Sequence, residues 1–402
     1  MKRFRTNLTG VLVTLLATAA SYAQFESITL SPNADEKLVL PPDDDPADDE
    51  PANVLSRDEW KLVDAAVERA LTWLATQQEA DGSFPTLETG QPGVTSLCLM
   101  AFVAHGHVPG QGPYARNVER ATDFVLSCQK PNGLVTKLGP EEPRINRAVN
   151  HEIGSCAAYN HAISSLVLSE LYGMSPPNRT RRLEEAINKA LAASLEMQSW
   201  PKEAPADRGG WRYVDDYDQV DSDLSVTGWE LMFLRSARNA GFHVPAERIN
   251  EAVMFVRRCF EQNDGIFLYS KRRGSRTRSM NGAGILALAH AGLHHSDEAR
   301  RAGDWLLRRP FDQYNATIPA ERSDRYHYGV FTCCQAMYQL GGRYWQQYYP
   351  PAVRAVLSSQ QADGSWPPDS QLNDSRYGSS YTTALVVITL GAPNQLLPVF
   401  QR

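Results

Sequence analysis

Acidic residues crowd one stretch of the chain: Asp215-Asp216-Tyr217-Asp218-Gln219-Val220-Asp221-Ser222-Asp223 holds five carboxyl groups in nine residues. Carboxylates packed this closely raise one another's pKa, and one that stays protonated can act as a general acid. Asp223, with Asp221 beside it, is the candidate for that role; the plainer alternative is that Asp223 or Ser225 caps the helix running on to Ala240. His161 and His327 stand as polar groups lining a cavity, with a hydrogen-bonded core histidine as the alternative. Lys271-Arg-Arg-Gly-Ser-Arg-Thr-Arg278 sets five bases in eight residues and could grip phosphate or sulfate, or be a solvated loop. No aromatic interleaves it, as stacking on single-stranded nucleic acid would require. The thioester, Walker and serine-elbow motifs do not occur.

The elements that must position these residues repeat along the chain. An amphipathic helix such as Ala66-Val-Glu-Arg-Ala-Leu-Thr-Trp-Leu-Ala-Thr-Gln-Gln78 leads to a turn at Asp81-Gly-Ser-Phe-Pro85 and then to an apolar helix from Val94 to Gly106. The last unit repeats the order, from Ala352 through Gly364-Ser-Trp366 to Tyr381–Gly391, and weaker copies lie between. Helices with one polar face suit an outer ring in water, whereas helices apolar all round suit an inner ring. Six pairs are enough to close, which predicts an all-α, (α/α)6 toroid over residues 57–402. The inner helices are expected at 94–106, 156–173, 224–241, 282–292, 328–341 and 381–391. Trp229, Tyr326 and Tyr381 then join His161 and His327 as candidate substrate-binding residues around the central cavity.

The pattern of Gln, Gly and aromatic (Gln78/Gly82/Phe84, Gln198/Gly210/Trp211, Gln361/Gly364/Trp366) resembles the QW repeat of squalene-hopene cyclases and protein prenyltransferase β subunits. With Tyr159-Asn-His161, Gly209-Gly-Trp-Arg-Tyr213, Asp223-Leu-Ser-Val-Thr-Gly-Trp229 and Gln335-Ala-Met-Tyr-Gln-Leu-Gly-Gly342, the chain is similar more narrowly to exported planctomycete-type squalene-cyclase-like proteins. The resemblance implies a terpenoid or other hydrophobic ligand in the cavity. It also implies an Asp-x-Asp-Asp-Thr acid at the start of an inner helix, which Asp221-Ser-Asp223-Leu-Ser225 matches at its first two acids only. Zinc-dependent prenyl transfer would use an Asp-x-Cys, which is missing despite Asp324, His327 and Cys333; neither metal nor cofactor is expected. A non-catalytic binding or envelope protein and a carbohydrate-active (α/α)6 enzyme remain open alternatives.

The ends complete the reading. Lys2, Arg3 and Arg5, the apolar run Val11–Ala20 and Ser21-Tyr22-Ala23 form a secretory signal peptide over 1–23. Residues 24–56 carry nine acids with many prolines and no apolar period, an acidic disordered linker. The remaining body has 37 acids against 36 bases, which argues against nucleic acid as a partner. No stretch is suited to stable membrane insertion, so an exported, periplasmic or secreted chain is expected. Its six cysteines, without a CxxC pair, are expected to be buried free thiols.

Overall fold

The computed structural model describes residues 51–402 apart from 144, 273, 317–323 and 369–373. The expected signal peptide, the linker up to residue 50 and Arg273 lie outside them. The folded body starts ahead of the expected boundary at 57. Residues 51–54 form a 3-10 turn, and Trp60 Nε1–H donates to Ala52 O at 2.7 Å. Ser56 and Glu59 then cap α1 (Arg57–Gln77) reciprocally, each side chain accepting from the other's backbone N–H.

Twelve α-helices appear among the described residues, and amphipathicity sorts them into two rings. The outer set is α1, α3 (Ala115–Ser127), α5 (Pro177–Ser199), α7 (Ala246–Arg258), α9 (Asp297–Leu307) and α11 (Gly342–Leu357). Alternating with it is the inner set: α2 (Gly93–Val103), α4 (Arg147–Tyr172), α6 (Leu224–Asn239), α8 (Arg278–His290), α10 (Tyr326–Leu340) and α12 (Asp374–Leu390). Each inner helix packs on the next, and α12 packs back on α2, so the ring closes. Every residue of α2 is buried, as its uniformly apolar sequence requires. The only sheet among the described residues is a hairpin of β1 (Phe260–Glu261) and β2 (Ile266–Phe267). No helix there is long and apolar enough to cross a membrane, and all six cysteines are free and buried.

The repeat motif has a definite job in joining units. Gln78, Gln129, Gln198 and Gln360 each donate Nε2–H to the carbonyl of their own turn glycine and to a carbonyl of the next outer helix, from Gly82 and Asn117 in the first unit to Gly364 and Ala66 in the last. The last bond ties the sixth unit to the first. Two expected positions shift by one: Gln360 rather than Gln361 makes the bridge, and Gly209 rather than Gly210 accepts from Gln198. Gly209 has φ +85, and a Cβ there would overlap the Glu251 carbonyl of α7. Gly209→Ala is therefore expected to lower stability by about 2 kcal/mol or more. An unchanged urea midpoint would contradict this account of the turn.

Two inner helices begin earlier than their apolar runs suggest. The Asn146 side chain caps α4 at Ala148 and Val149, well before Cys156. α12 gains a turn at Asp374–Tyr377 before a break at Gly378 (φ 77, ψ −176). Both extensions carry side chains toward the mouth formed by the inner helices' N-termini. At the opposite end the chain's tail crosses the ring. Phe400 O accepts from Gln339 at 2.7 Å, and Val399 N–H donates to Glu170.

Candidate functional site

The inner ring encloses a cavity of about 410 Å³. Its floor follows from the repeat register. The backbone N–H groups of Phe84, Trp211 and Trp366 donate to Thr95, Thr227 and Thr383, while that of Val135 donates to His161 Nδ1. Two positions beyond those acceptors stand Leu97, Trp229, Leu385 and Ile163, all lining the cavity. Trp229 is held by stacking on Phe331 (5.6 Å, 15°) and Tyr328 (6.3 Å, 26°).

Above the floor the wall is phenolic: Tyr159, Tyr213, Tyr269, Tyr328, Tyr377 and Tyr381 all face the cavity. Tyr213 and Tyr269 join hydroxyls at 2.7 Å, and Arg212 Nη1 donates to the Tyr269 oxygen at 2.5 Å. The Arg212 guanidinium also lies 4.0 Å over the Tyr213 ring. Burial raises all six phenols above their ordinary pKa, the Asp223 charge adding to this at Tyr213 and Tyr269. They are neutral hydroxyls at neutral pH, donors and not bases.

Asp374 is the one carboxyl group among the described residues that line the cavity. Its Oδ2 lies 2.8 Å from His327 Nδ1, and Oδ1 has no hydrogen-bond partner among the described residues. Behind it, His327 Nε2 lies 2.9 Å from the Tyr314 hydroxyl, which is 2.8 Å from Pro367 O. A carbonyl only accepts, so the Tyr314 O–H points to Pro367 and its oxygen accepts from His327 Nε2–H. Nδ1 on the other side of the ring faces the Asp374 carboxyl. The Asp374 carboxyl thus stands at the cavity wall with His327 and Tyr314 behind it.

The sequence-derived candidates divide by place. Trp229 and Tyr381 line the cavity. Asp223, expected to face it, is turned into the wall instead: it is fully buried, its Oδ1 caps α6 at Val226 N–H (2.9 Å), and its Oδ2 accepts from Arg212 at 2.7 Å. Burial raises its pKa and Arg212 draws it back; Asp218 and Asp221 play no leading part. Asp221 flanks the same guanidinium, 3.3 Å from Arg212 Nε, partly open to solvent. His161, expected on the cavity, serves the wall: its Nδ1 takes the Val135 N–H, and its Nε2 lies 2.9 Å from Ser194 Oγ. Burial lowers it to about 3, so the ring is neutral. His327 sits behind Asp374, and Tyr326 packs on Phe311, Tyr314 and His327, away from the cavity. In the basic loop, Arg272 meets Glu203 and Asp207, Arg276 meets Asp264, and Arg278 is buried on Asp324.

No protein-family model matches the sequence, and no curated protein matches it. Solved structures do resemble the fold. A variant of a type II terpene cyclase from Scytonema aligns over 85% of this chain and 99% of its own, at 15% identity and a TM-score of 0.50. A glycosidase aligns over 86% and 100%, at 13% identity and 0.55. The GH76 alpha-mannanase of Bacteroides thetaiotaomicron aligns over 86% and 98%, at 12% identity and 0.55. The chain is thus an (α/α)6 toroid of the architecture that terpene cyclases and glycosidases share.

Proposed function

We propose that this protein processes an isoprenoid in its central cavity, with Asp374 as the general acid, and that it does so outside the cytoplasm, as the pattern of residues 1–23 implies. The observation carrying the proposal is a lone carboxyl group among the described lining residues, Asp374, paired with His327 at 2.8 Å beside a wall of aromatic rings. Asp374 O–H would protonate an alkene carbon. The π pair forms the new C–H bond, a second alkene closes on the resulting cation, and a neighbouring carbon gives up a proton to the Asp374 carboxylate left by the first step, which restores the acid. Trp229 and the phenol rings turn negative π faces toward the positive charge. A carbohydrate hydrolase has less support, since it would need two carboxyl groups across the site and Asp374 stands alone among the described lining residues. A lyase with a tyrosine base would need a lowered phenol pKa, and burial raises them.

The test is incubation of the purified chain with polyprenyl alkenes, with products read by mass spectrometry. Asp374→Asn, which keeps the shape and cannot deliver the proton, is expected to cut product formation by at least about 100-fold while binding persists. Full turnover in that variant would sink the assignment. Binding without any product from the wild type would leave the alternative of a non-catalytic ligand-holding protein.

A further inference from the structure

Two guanidinium groups near the cavity, both buried, lie on carboxylates. Arg212 lies between Asp223 and Asp221. Arg278 donates to Asp324 through its backbone N–H at 2.9 Å and its Nε at 2.8 Å, and to the carbonyls of Pro310 and Ala316. Arg325 differs from both. It stands at the N-terminus of α10, it lines the cavity, and its Nη1 is buried without a hydrogen-bond partner. No carboxylate among the described residues forms an ion pair with it, and Asp374, the carboxyl group on the same wall, is engaged by His327. A buried N–H donor left so is costly unless something that enters the cavity completes it.

The surroundings suit an anion. α8, next to α10 in the inner ring, begins with Thr277 as its cap, and Ser275, Thr277 and Ser279 all face the cavity. Two neighbouring helix N-termini, each with a positive dipole end, therefore lie at this mouth of the cavity, although Asp324 and Thr277 already accept from the first turn of α8. The Tyr381 phenol lies within the fields of both Arg325 and Asp374, so the cation and the acid share one side of the cavity. The floor of Leu97, Ile163, Trp229 and Leu385 offers nothing to an anion.

We infer that the ligand of this cavity is an isoprenoid carrying an anionic head group, a carboxylate or a phosphate, and that Arg325 recognises that head group while the chain lies on the apolar floor. The inference rests on the isoprenoid reading of the site and adds to it the polar half of the ligand. It also fixes orientation: with the head group at Arg325, the alkene nearest Asp374 is one near the head, and the distal end of the chain reaches the floor.

Binding of farnesoic acid, farnesyl monophosphate and farnesol to the full-length protein, followed by tryptophan fluorescence, tests this. The wild type is expected to bind at least one of the two anions about tenfold or more tighter than the neutral alcohol. Arg325→Gln should erase that preference while leaving farnesol affinity within about twofold, and Arg325→Lys should restore part of it. The carboxylate and phosphate arms show which head group is meant. Equal affinity for acid, phosphate and alcohol in the wild type would overturn the head-group inference and leave the isoprenoid reading standing. Loss of farnesol binding along with the anions in Arg325→Gln, with the thermal melt unchanged, would also overturn it by showing that Arg325 shapes the cavity and does not read charge. Failure of all three to bind the wild type would remove both readings.

Discussion

Asp223→Ala is expected to destabilise the protein by on the order of 3–5 kcal/mol, the usual cost of leaving half of a buried ion pair. Two losses combine. The first turn of α6 loses the acceptor for Val226 N–H, and Arg212 loses the carboxylate at 2.7 Å. Asp221, 3.3 Å from Arg212 Nε, softens the second loss without replacing it, because it is partly solvated. Asp223→Asn is the informative companion. Asparagine caps helices as well as aspartate does, so the first loss disappears. Its single carbonyl oxygen cannot serve both Val226 and Arg212, and its NH2 then meets a guanidinium that only donates. An intermediate cost of about 1–2 kcal/mol follows. Since Arg212 also holds the Tyr269 hydroxyl, ligand affinity should fall in parallel with stability. Urea unfolding of the three proteins measures the series, and an alanine variant as stable as wild type would refute the structural role given to Asp223.

That role shows why the architecture was legible in the sequence and the site much less so. Amphipathic and uniformly apolar helices alternate in plain view, and burial alone sorts them into rings, so Val94–Gly106 and Leu224–Gly241 lie close to α2 and α6. The acidic run 215–223 stands out in the sequence, yet catalytic acids and structural acids are the same residue type. What separates Asp223 from an active acid is Arg212, eleven positions away through a turn, and that contact has no local signature. Asp374 escapes a sequence reading for the converse reason. The apolar run of the last inner helix starts after Gly378, and only the extra turn ahead of that break brings Asp374 and Tyr377 to the cavity. The tyrosines are scattered from 159 to 381, mostly on different inner helices or on the turns ahead of them. They meet only when the ring closes, a juxtaposition that no spacing rule encodes. Tyr159-Asn160-His161 did carry a signal, but alternating neighbours on a helix face different ways: Tyr159 looks into the cavity while His161 looks back at Ser194.

Stability should fall as pH rises from about 6.5 to 8, and Glu230→Gln should remove much of that fall. Burial raises Glu230 from 4.5 to about 8, with Ser194 O–H donating to its Oε2 at 2.8 Å and opposing the shift. Glu170 is raised to about 7 by burial, against the Ser236 hydroxyl and the Val399 N–H that it accepts. In the unfolded chain both carboxyls ionise near 4.5, so between that value and their native pKa the folded state holds protons that the unfolded state has lost. Stability then declines with pH, by about 1.4 kcal/mol per unit for each group that stays fully protonated. Below about 6.5 two buried histidines oppose the trend. His161 and His290 are held neutral down to about 3 by burial, so the unfolded chain takes up protons there that the native chain refuses, and stability rises with pH. Above 6.5 those histidines are neutral in both states, and the carboxyls act unopposed by them. Lys202, lowered to about 8 by burial, begins to act only above the window, where it favours the native state as pH increases. Glutamine at 230 keeps an oxygen for the Ser194 hydroxyl and carries no proton to lose. The variant should therefore match wild type near pH 5 and exceed it at pH 8 by on the order of 3 kcal/mol, with the residual slope below pH 7 belonging to Glu170. Urea midpoints at pH 5, 6.5 and 8 for both proteins decide the matter. Parallel curves across the window would mean that Glu230 is ionised in the native ring, and that the chain His161, Ser194, Glu230 is charged where burial predicts it neutral.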